Sequence, residues 1–461
     1  MRNHYIPTAI TRASIALIIM ISAPVVFGLD LTFGETTDSI FSFTLPSSAG
    51  YSYSVLSTVP SISLSGDLAR HTSEESAVSW EMSVSGKVKA STMRPSLDLL
   101  PDTTSLRMWF GAGLSITAGY FSEKGLAAEL FPQTAFFGPV DQLGFFENGG
   151  KGQARNNEML GKIGFSNDLL RMTATFAPFR PQLSLPSIES IWFPSVELPE
   201  SVVISDQTYT MRDLDYQDSV DANPFVPELS FETAVGISTG SFDFDLAYFH
   251  GRERQALYSA RISEMSTPDT FDLELLSHRG VVDSLAAALT IVSHSWRYWL
   301  ESSYTLGASA ASGSFEFAGI YIDRDSLKVT SIPPVISADK WGMTLGASWQ
   351  GMLGRWQSRI LSEAIWTSYI ASEESIRPSL LSKALALTAS VEEPSGRFGA
   401  SCSALVSLLD GSVALRPGLS VVFGGDNSFE IALPLFFGAE DTELGRYSEH
   451  KFVFLYLSHR Y

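Results

Sequence analysis

A single cysteine, Cys402, stands in 461 residues. One thiol closes no internal disulfide and builds no cysteine zinc cluster. Charge is also sparse: Asp, Glu, Lys and Arg make up 18% of the chain, below the ~25% usual in soluble proteins. Fifty acidic residues against 31 basic ones leave a net charge of −19. That sign excludes nucleic acid as an expected partner, because such partners favour basic surfaces. Beyond residue 28 there is no apolar run of the ~20 residues that a spanning helix needs. Phosphate-loop chemistry is missing too, since Gly150-Lys151 has Phe145 where a Walker sequence needs its first glycine. No HExxH occurs and the seven histidines are scattered, so neither a metal nor another cofactor is expected.

What the chain does have begins at its N-terminus. Arg2 and Arg12 are followed by a nearly apolar stretch from Ala13 to Phe27, then by Val26-Phe27-Gly28. This pattern predicts a secretory signal peptide over 1–28, cleaved after Gly28. Residues 29–60 read as a lead-in or as first strands, and 61–461 as one barrel domain.

The clearest element is the stretch from Trp341 to Gln350. Trp341, Met343, Leu345, Ala347 and Trp349 share one face, while Gly342, Thr344, Gly346, Ser348 and Gln350 share the other. Period two marks a strand. An apolar face with an indole at each end suits a stave crossing a bilayer, where ~9–11 tilted residues span the hydrocarbon between aromatic girdles. The alternation recurs at 78–88, 159–176, 229–248, 271–275, 285–291, 296–306 and 315–321, and at six candidate strands between 355 and 461. The expected fold is all-β: a transmembrane antiparallel β-barrel of about 16–18 strands with short periplasmic turns and long extracellular loops. Counting back from the last strand places Thr239-Gly240 and Asn167-Asp168 on the short-turn side. It places the turns at Ser293–Ser295 and Asp410-Gly411 with the long loops.

Two long loops interrupt the pattern. Residues 122–157 are rich in Phe, Pro and Gly. Residues 178–228 are punctuated by Pro178, Pro181, Pro186, Pro194 and Pro199, which bars a central strand. The expectation is that 178–228 narrows the lumen, anchored by Trp192 and Phe193.

The chain ends on an amphipathic strand with a terminal aromatic: Val453, Leu455, Leu457, His459 and Tyr461 alternate, while Phe452, Phe454 and Tyr456 offer a rival register. With the leader and the strands, this end resembles diderm-bacterial outer-membrane β-barrels of porin-like type. The resemblance implies outer-membrane lipid and the barrel-assembly machinery as partners, the latter through the strand ending at Tyr461. It fixes neither the transported solute nor the oligomeric state.

Charges fall between the apolar residues and so point inward. The lumen or selectivity candidates are Glu232, Asp243, Asp245, Asp272, Glu274, Lys162, Arg171 and Arg297. Arg359, Glu301, Glu363, Arg416 and Glu430 share the inward parity. Because unpaired buried charge is costly, this set implies a wet lumen or a cross-strand ionic network. The acidic members on 232–245 and 272–274 should form one wall patch with mild cation preference. The resulting function is a channel for small solutes. The alternative is a plugged surface barrel whose loops bind a host or envelope partner. An enzyme is not expected, although a hydrolase at the rim is left open, with His294 between Ser293 and Ser295 as its candidate.

Overall fold

A computed structural model describes residues 32–45, 54–68, 78–91, 96–110, 113–137, 157–179, 201–204, 207–216, 227–254, 257–267, 270–311, 335–370, 382–423, 427–439, 442, 444–449 and 451–460. The expected leader, Trp192-Phe193 and the strand at 315–321 lie outside these residues. No helix among the described residues is long and apolar enough to cross a membrane.

The strands, in chain order, are β1 Thr32–Leu45, β2 Ser54–Leu68, β3 Val78–Ser91, β4 Ser96–Phe110, β5 Leu114–Phe121, β6 Glu158–Ser166, β7 Leu170–Phe179 and β8 Ser201–Ile204. Then come β9 Gln207–Tyr216, β10 Pro227–Ser238, β11 Phe242–Arg252, β12 Leu257–Thr267, β13 Thr270–His278, β14 Val281–Ser293, β15 Trp296–Ala311 and β16 Val335–Leu353. The chain finishes with β17 Trp356–Ile370, β18 Lys383–Glu392, β19 Phe398–Ser407, β20 Val413–Phe423, β21 Asn427–Ala432, β22 Leu435–Phe437 and β23 Lys451–Arg460.

Among the described residues, nineteen strands form one sheet. Antiparallel pairing runs from β1 through β7, passes to β10 and β11, then to β14, and continues strand by strand to β20. Both β21 and β22 pair with β20, as two halves of one stave interrupted at Leu433-Pro434. β23 pairs with β21 on one side and with β1 on the other, from Thr36↔Arg460 to Leu45↔Lys451. The ladder therefore returns to its first strand, and with β21 and β22 counted once it holds eighteen staves. Returning the ladder to its start leaves few open edges for stray pairing.

Alternation sets the two faces. In β15, Trp299, Glu301, Ser303 and Thr305 are buried, while Trp296, Tyr298, Leu300, Tyr304 and Leu306 are exposed. The same split holds in β16, where Thr344 is buried and Leu345 is 56% exposed. Met159, Ile163, Met172 and Phe176 of the β6–β7 hairpin are likewise exposed. An outer face this apolar over so many consecutive strands is far larger than a water-facing surface carries. The rival register of the last strand is also resolved: Phe452, Phe454 and Tyr456 are buried inside, and Leu457 faces out.

Three of the sequence expectations change here. Residues 271–275 do form a strand, but β13 belongs to a separate four-stranded sheet in the order β12-β13-β9-β8. It pairs with β12 antiparallel and with β9 parallel. The connections 180–226 and 253–280, which leave the same end of the barrel ladder, thus supply one sheet between them. Asp272 and Glu274 stand on β13, so they are not part of the barrel wall, and the expected acidic patch loses two of its members. β14 then follows β11 directly in the wall. That moves the turn at His294-Ser295 to the short-turn end, alongside Thr239-Gly240, rather than the long-loop end. The total still matches the expected size, because β1 to β4 supply staves that the middle of the chain does not.

The packed interior lies inside the ladder in three clusters. One joins Ala384, Ala386, Leu405, Phe436, Leu444, Tyr447, Phe452, Phe454 and Tyr456. A second joins Ala127, Ala128, Ala288, Trp299 and Leu361, and a third joins Phe137, Leu160, Ala177, Phe249 and Val282. Residues of the segment 121–137 enter all three.

Candidate functional site

The segment after β5 turns inward and closes on itself. The N–H of Glu123 donates to the carbonyl of Phe137 at 2.6 Å, and the N–H of Leu126 donates to Thr134 Oγ1 at 2.7 Å. These bonds bring the ends of the loop together, as in an Ω-loop. A loop lying inside a barrel must place its backbone donors, and two wall carboxylates receive them. Glu301 Oε2 accepts from the N–H groups of Ala127 and Ala128 at 3.1 and 2.9 Å. Its Oε1 accepts from the N–H and hydroxyl of Thr134 at 2.6 and 2.7 Å. Glu363 accepts from the consecutive N–H groups of Glu129, Leu130 and Phe131 at 2.5, 2.7 and 2.8 Å. Successive amides converging on an anion form a nest, and here the anion is a side chain of the wall. Both carboxylates have 0% exposure.

The wall is shaped to receive this loop. Gly342, Thr344 and Gly346, the small face of β16, lie beneath it. A Cβ on Gly342 would collide with Gln133 of the loop, and one on Gly346 would collide with the indole of Trp299. Thr344 Oγ1 donates to the carbonyl of Phe131 at 2.6 Å. The loop's carboxylates are met by wall cations: Glu123 pairs with Lys162 at 2.6 Å, and Glu129 pairs with both Arg297 and Arg359. At its far end Phe136 and Phe137 pack on Phe249, with Arg254 over the rings of Phe137 and Phe249 and paired to Glu158 at 2.9 Å.

The residues singled out from the sequence divide as follows. Lys162 and Arg297 hold the loop. Arg171 meets Asp245 at 2.6 Å across β10, through the gap left by Gly236, where a Cβ would collide with the Asp245 carboxylate. Glu232 is inward and half-buried, between Thr175 and Phe249, and Asp243 stands between Ser238 and Thr290 near the short-turn end. Arg416 and Glu430 pair at 2.7 Å against Tyr456. Many inferred lumen charges are thus committed to loop docking or to cross-strand pairs. His294 adopts φ 53 in its turn, with Ser293 Oγ 3.4 Å from its Nδ1.

Sequence reasoning missed Glu123, Glu129, Glu158 and Arg254. The overlooked signal was the run of small residues on the inward face of β16, which leaves room for a second layer.

No protein-family model and no curated protein matches the chain. Among solved structures, OccAB4 of Acinetobacter baumannii is similar over 94% of this chain and 98% of its own, at 7% identity and a TM-score of 0.46. OmpF of Salmonella typhi, in complex with daunomycin, is similar over 94% and 97%, at 9% identity and 0.42. OmpT, an outer membrane protein of Vibrio cholerae, is similar over 94% and 99%, at 8% identity and 0.41. The barrel architecture rests on the pairing and alternation above rather than on these likenesses.

Proposed function

We propose that the chain is an outer-membrane channel that passes small solutes through a lumen narrowed by the segment 123–137. The observation that carries this reading is the docking of that segment on Glu301 and Glu363. A barrel of eighteen staves is wide enough to leave a lumen, and a loop fixed to its inner wall reduces that lumen without filling it by mass alone. The apolar outer face supports lipid as its surroundings, and the leader-like N-terminus supports export. Purified, folded protein in a planar bilayer should open discrete ion-conducting steps. A silent bilayer with an intact barrel would sink the channel reading.

The second reading, a surface barrel that binds a partner, is favoured by one observation. Two connections at the long-loop end build a four-stranded sheet of their own, which is more structure than a pore mouth needs. A silent bilayer would favour this reading.

A further inference from the structure

Counting carboxylates against cations on the inward face gives an acidic lumen, but the two signs are not equally accessible. Side-chain exposures are 51% for Arg359 and 35% for Arg297, against 27% for the Glu129 that they share. Arg171 is 47% exposed and its partner Asp245 only 5%. Glu301 and Glu363 are enclosed and already accept a full set of N–H donors. A solute in the lumen therefore meets guanidinium edges, while several of the carboxylates are turned toward the wall or the loop.

The imbalance is sharpest at Glu129. One carboxylate is shared by two guanidiniums, so it matches neither one fully, and the nearby Glu301 and Glu363 are enclosed and turned to the loop amides. Arg297 uses its donors on Glu129 and on the carbonyl of Ala127, and its guanidinium lies 5.1 Å over the Trp299 ring. Arg359 gives one amino group to Glu129 and is otherwise open. An arginine fork with free N–H groups binds carboxylate or phosphate oxygens in pairs. We propose that Arg359, which shares the Glu129 carboxylate with Arg297 and keeps half of its side chain exposed, is a binding station for small oxyanions passing the loop, and that the lumen prefers anions there. This is the opposite sign to the preference expected from counting carboxylates. Its role in transport rests on the channel reading, whereas binding does not.

The test uses the folded full chain in detergent, titrated calorimetrically with inorganic phosphate and, separately, with succinate at constant ionic strength. Weak saturable binding is expected, lowered by ~10-fold or more in Arg359→Gln, since hydrogen bonds to charged groups are the strong ones. Arg359→Lys should recover only part, and Arg397→Gln, in a turn at the short-turn end, should bind as the native chain does. The phosphate and succinate arms tell which oxyanion geometry the fork prefers. Glu129→Gln frees both guanidiniums and should tighten binding several-fold, which serves if Arg359→Gln does not fold. In a bilayer with a KCl gradient, the native reversal potential should show anion preference, shifted toward cations in Arg359→Gln. Equal affinity in the native chain and Arg359→Gln, or native cation preference, overturns the site. Normal phosphate titration with a silent bilayer overturns only the channel.

Discussion

Trp299 reaches across the strand beside it to donate its indole N–H to Glu363 Oε1 at 3.0 Å. Trp299 is on β15 and Glu363 on β17, and both register with Gly346 of β16. Only a residue without a side chain lets the ring lie flat over that position. The bond fixes the carboxylate that in turn holds Glu129, Leu130 and Phe131 of the loop. A glycine in the wall is therefore linked to the position of the docked loop through one aromatic side chain.

Gly346→Val should expel the indole from its seat. Overpacking of this kind costs ~1–3 kcal/mol, and Glu363 would also lose a donor. The expected result is a lower thermal midpoint in detergent and a shift in tryptophan fluorescence, with Gly346→Ala in between. A native-like spectrum with unchanged stability would show that the ring does not depend on this gap.

Glu301→Gln with Glu363→Gln should release the loop. Each amide keeps one acceptor oxygen but turns an NH2 group toward backbone N–H donors. Hydrogen bonds to charged groups contribute ~1.5–3 kcal/mol each, so the double variant should weaken docking by several kcal/mol while the ladder remains. Higher single-channel conductance and new protease cleavage within 122–137 are the readouts. Unchanged conductance in a folded double variant would remove the segment from the conduction path.

The strand content was largely readable because alternation is written locally. Trp341 to Trp349 showed its apolar outer face and small inner face without reference to any neighbour. Which sheet a strand joins is a different matter. Phe271, Leu273 and Leu275 alternate as well as any stave, yet β13 pairs with β12 and β9, and nothing local distinguishes the two outcomes. The docking carboxylates were identified as inward, but their partners lie more than 160 residues away in a loop with no periodicity. Both long loops carry Phe and Pro, so composition did not distinguish them, and the repeated prolines pointed to 178–228. Its described parts beyond residue 200, before β10, are β8 and β9 of the second sheet.

Gly236→Ala tests the Arg171–Asp245 pair. A Cβ at 236 enters the space of the Asp245 carboxylate and should separate the partners, leaving a buried acid less compensated. The cost should be ~1–3 kcal/mol, reduced from the fully buried case because Arg171 is half in water. In an Arg171→Gln background the same substitution should cost distinctly less, since interacting residues are non-additive. Full additivity in that double-mutant cycle would mean the pair is not what Gly236 protects.

Cys402 is exposed on the outer face, opposite Ala389 and Pro417. In a reconstituted bilayer a membrane-impermeant maleimide should label it slowly, and a lipid-soluble maleimide should label it quickly. Fast labelling by the impermeant reagent would place the thiol in the aqueous lumen. The register of β19 would then be off by one, since a single-residue slip exchanges the two faces.

The last prediction sets the two long loops against each other. Deleting Ser187 to Glu200 removes Trp192 and Phe193 and leaves the docked segment 123–137 intact. Deleting Lys124 to Gln133 removes the Ala127 and Ala128 donors to Glu301 and all three loop donors to Glu363, along with Glu129, and leaves Glu301 with Thr134 and Glu363 with Trp299. Loop deletions are tolerated better than strand changes, so both variants should fold. If the docked segment sets the constriction, the second deletion raises conductance well above native and the first changes it little. The second deletion also leaves two enclosed carboxylates short of donors, which water entering the widened lumen can supply, so its stability should fall less than a dry interior would require. A large rise on deleting Ser187 to Glu200, with little change on deleting Lys124 to Gln133, would return the constriction to the proline-rich loop and leave Glu301 and Glu363 a purely structural role.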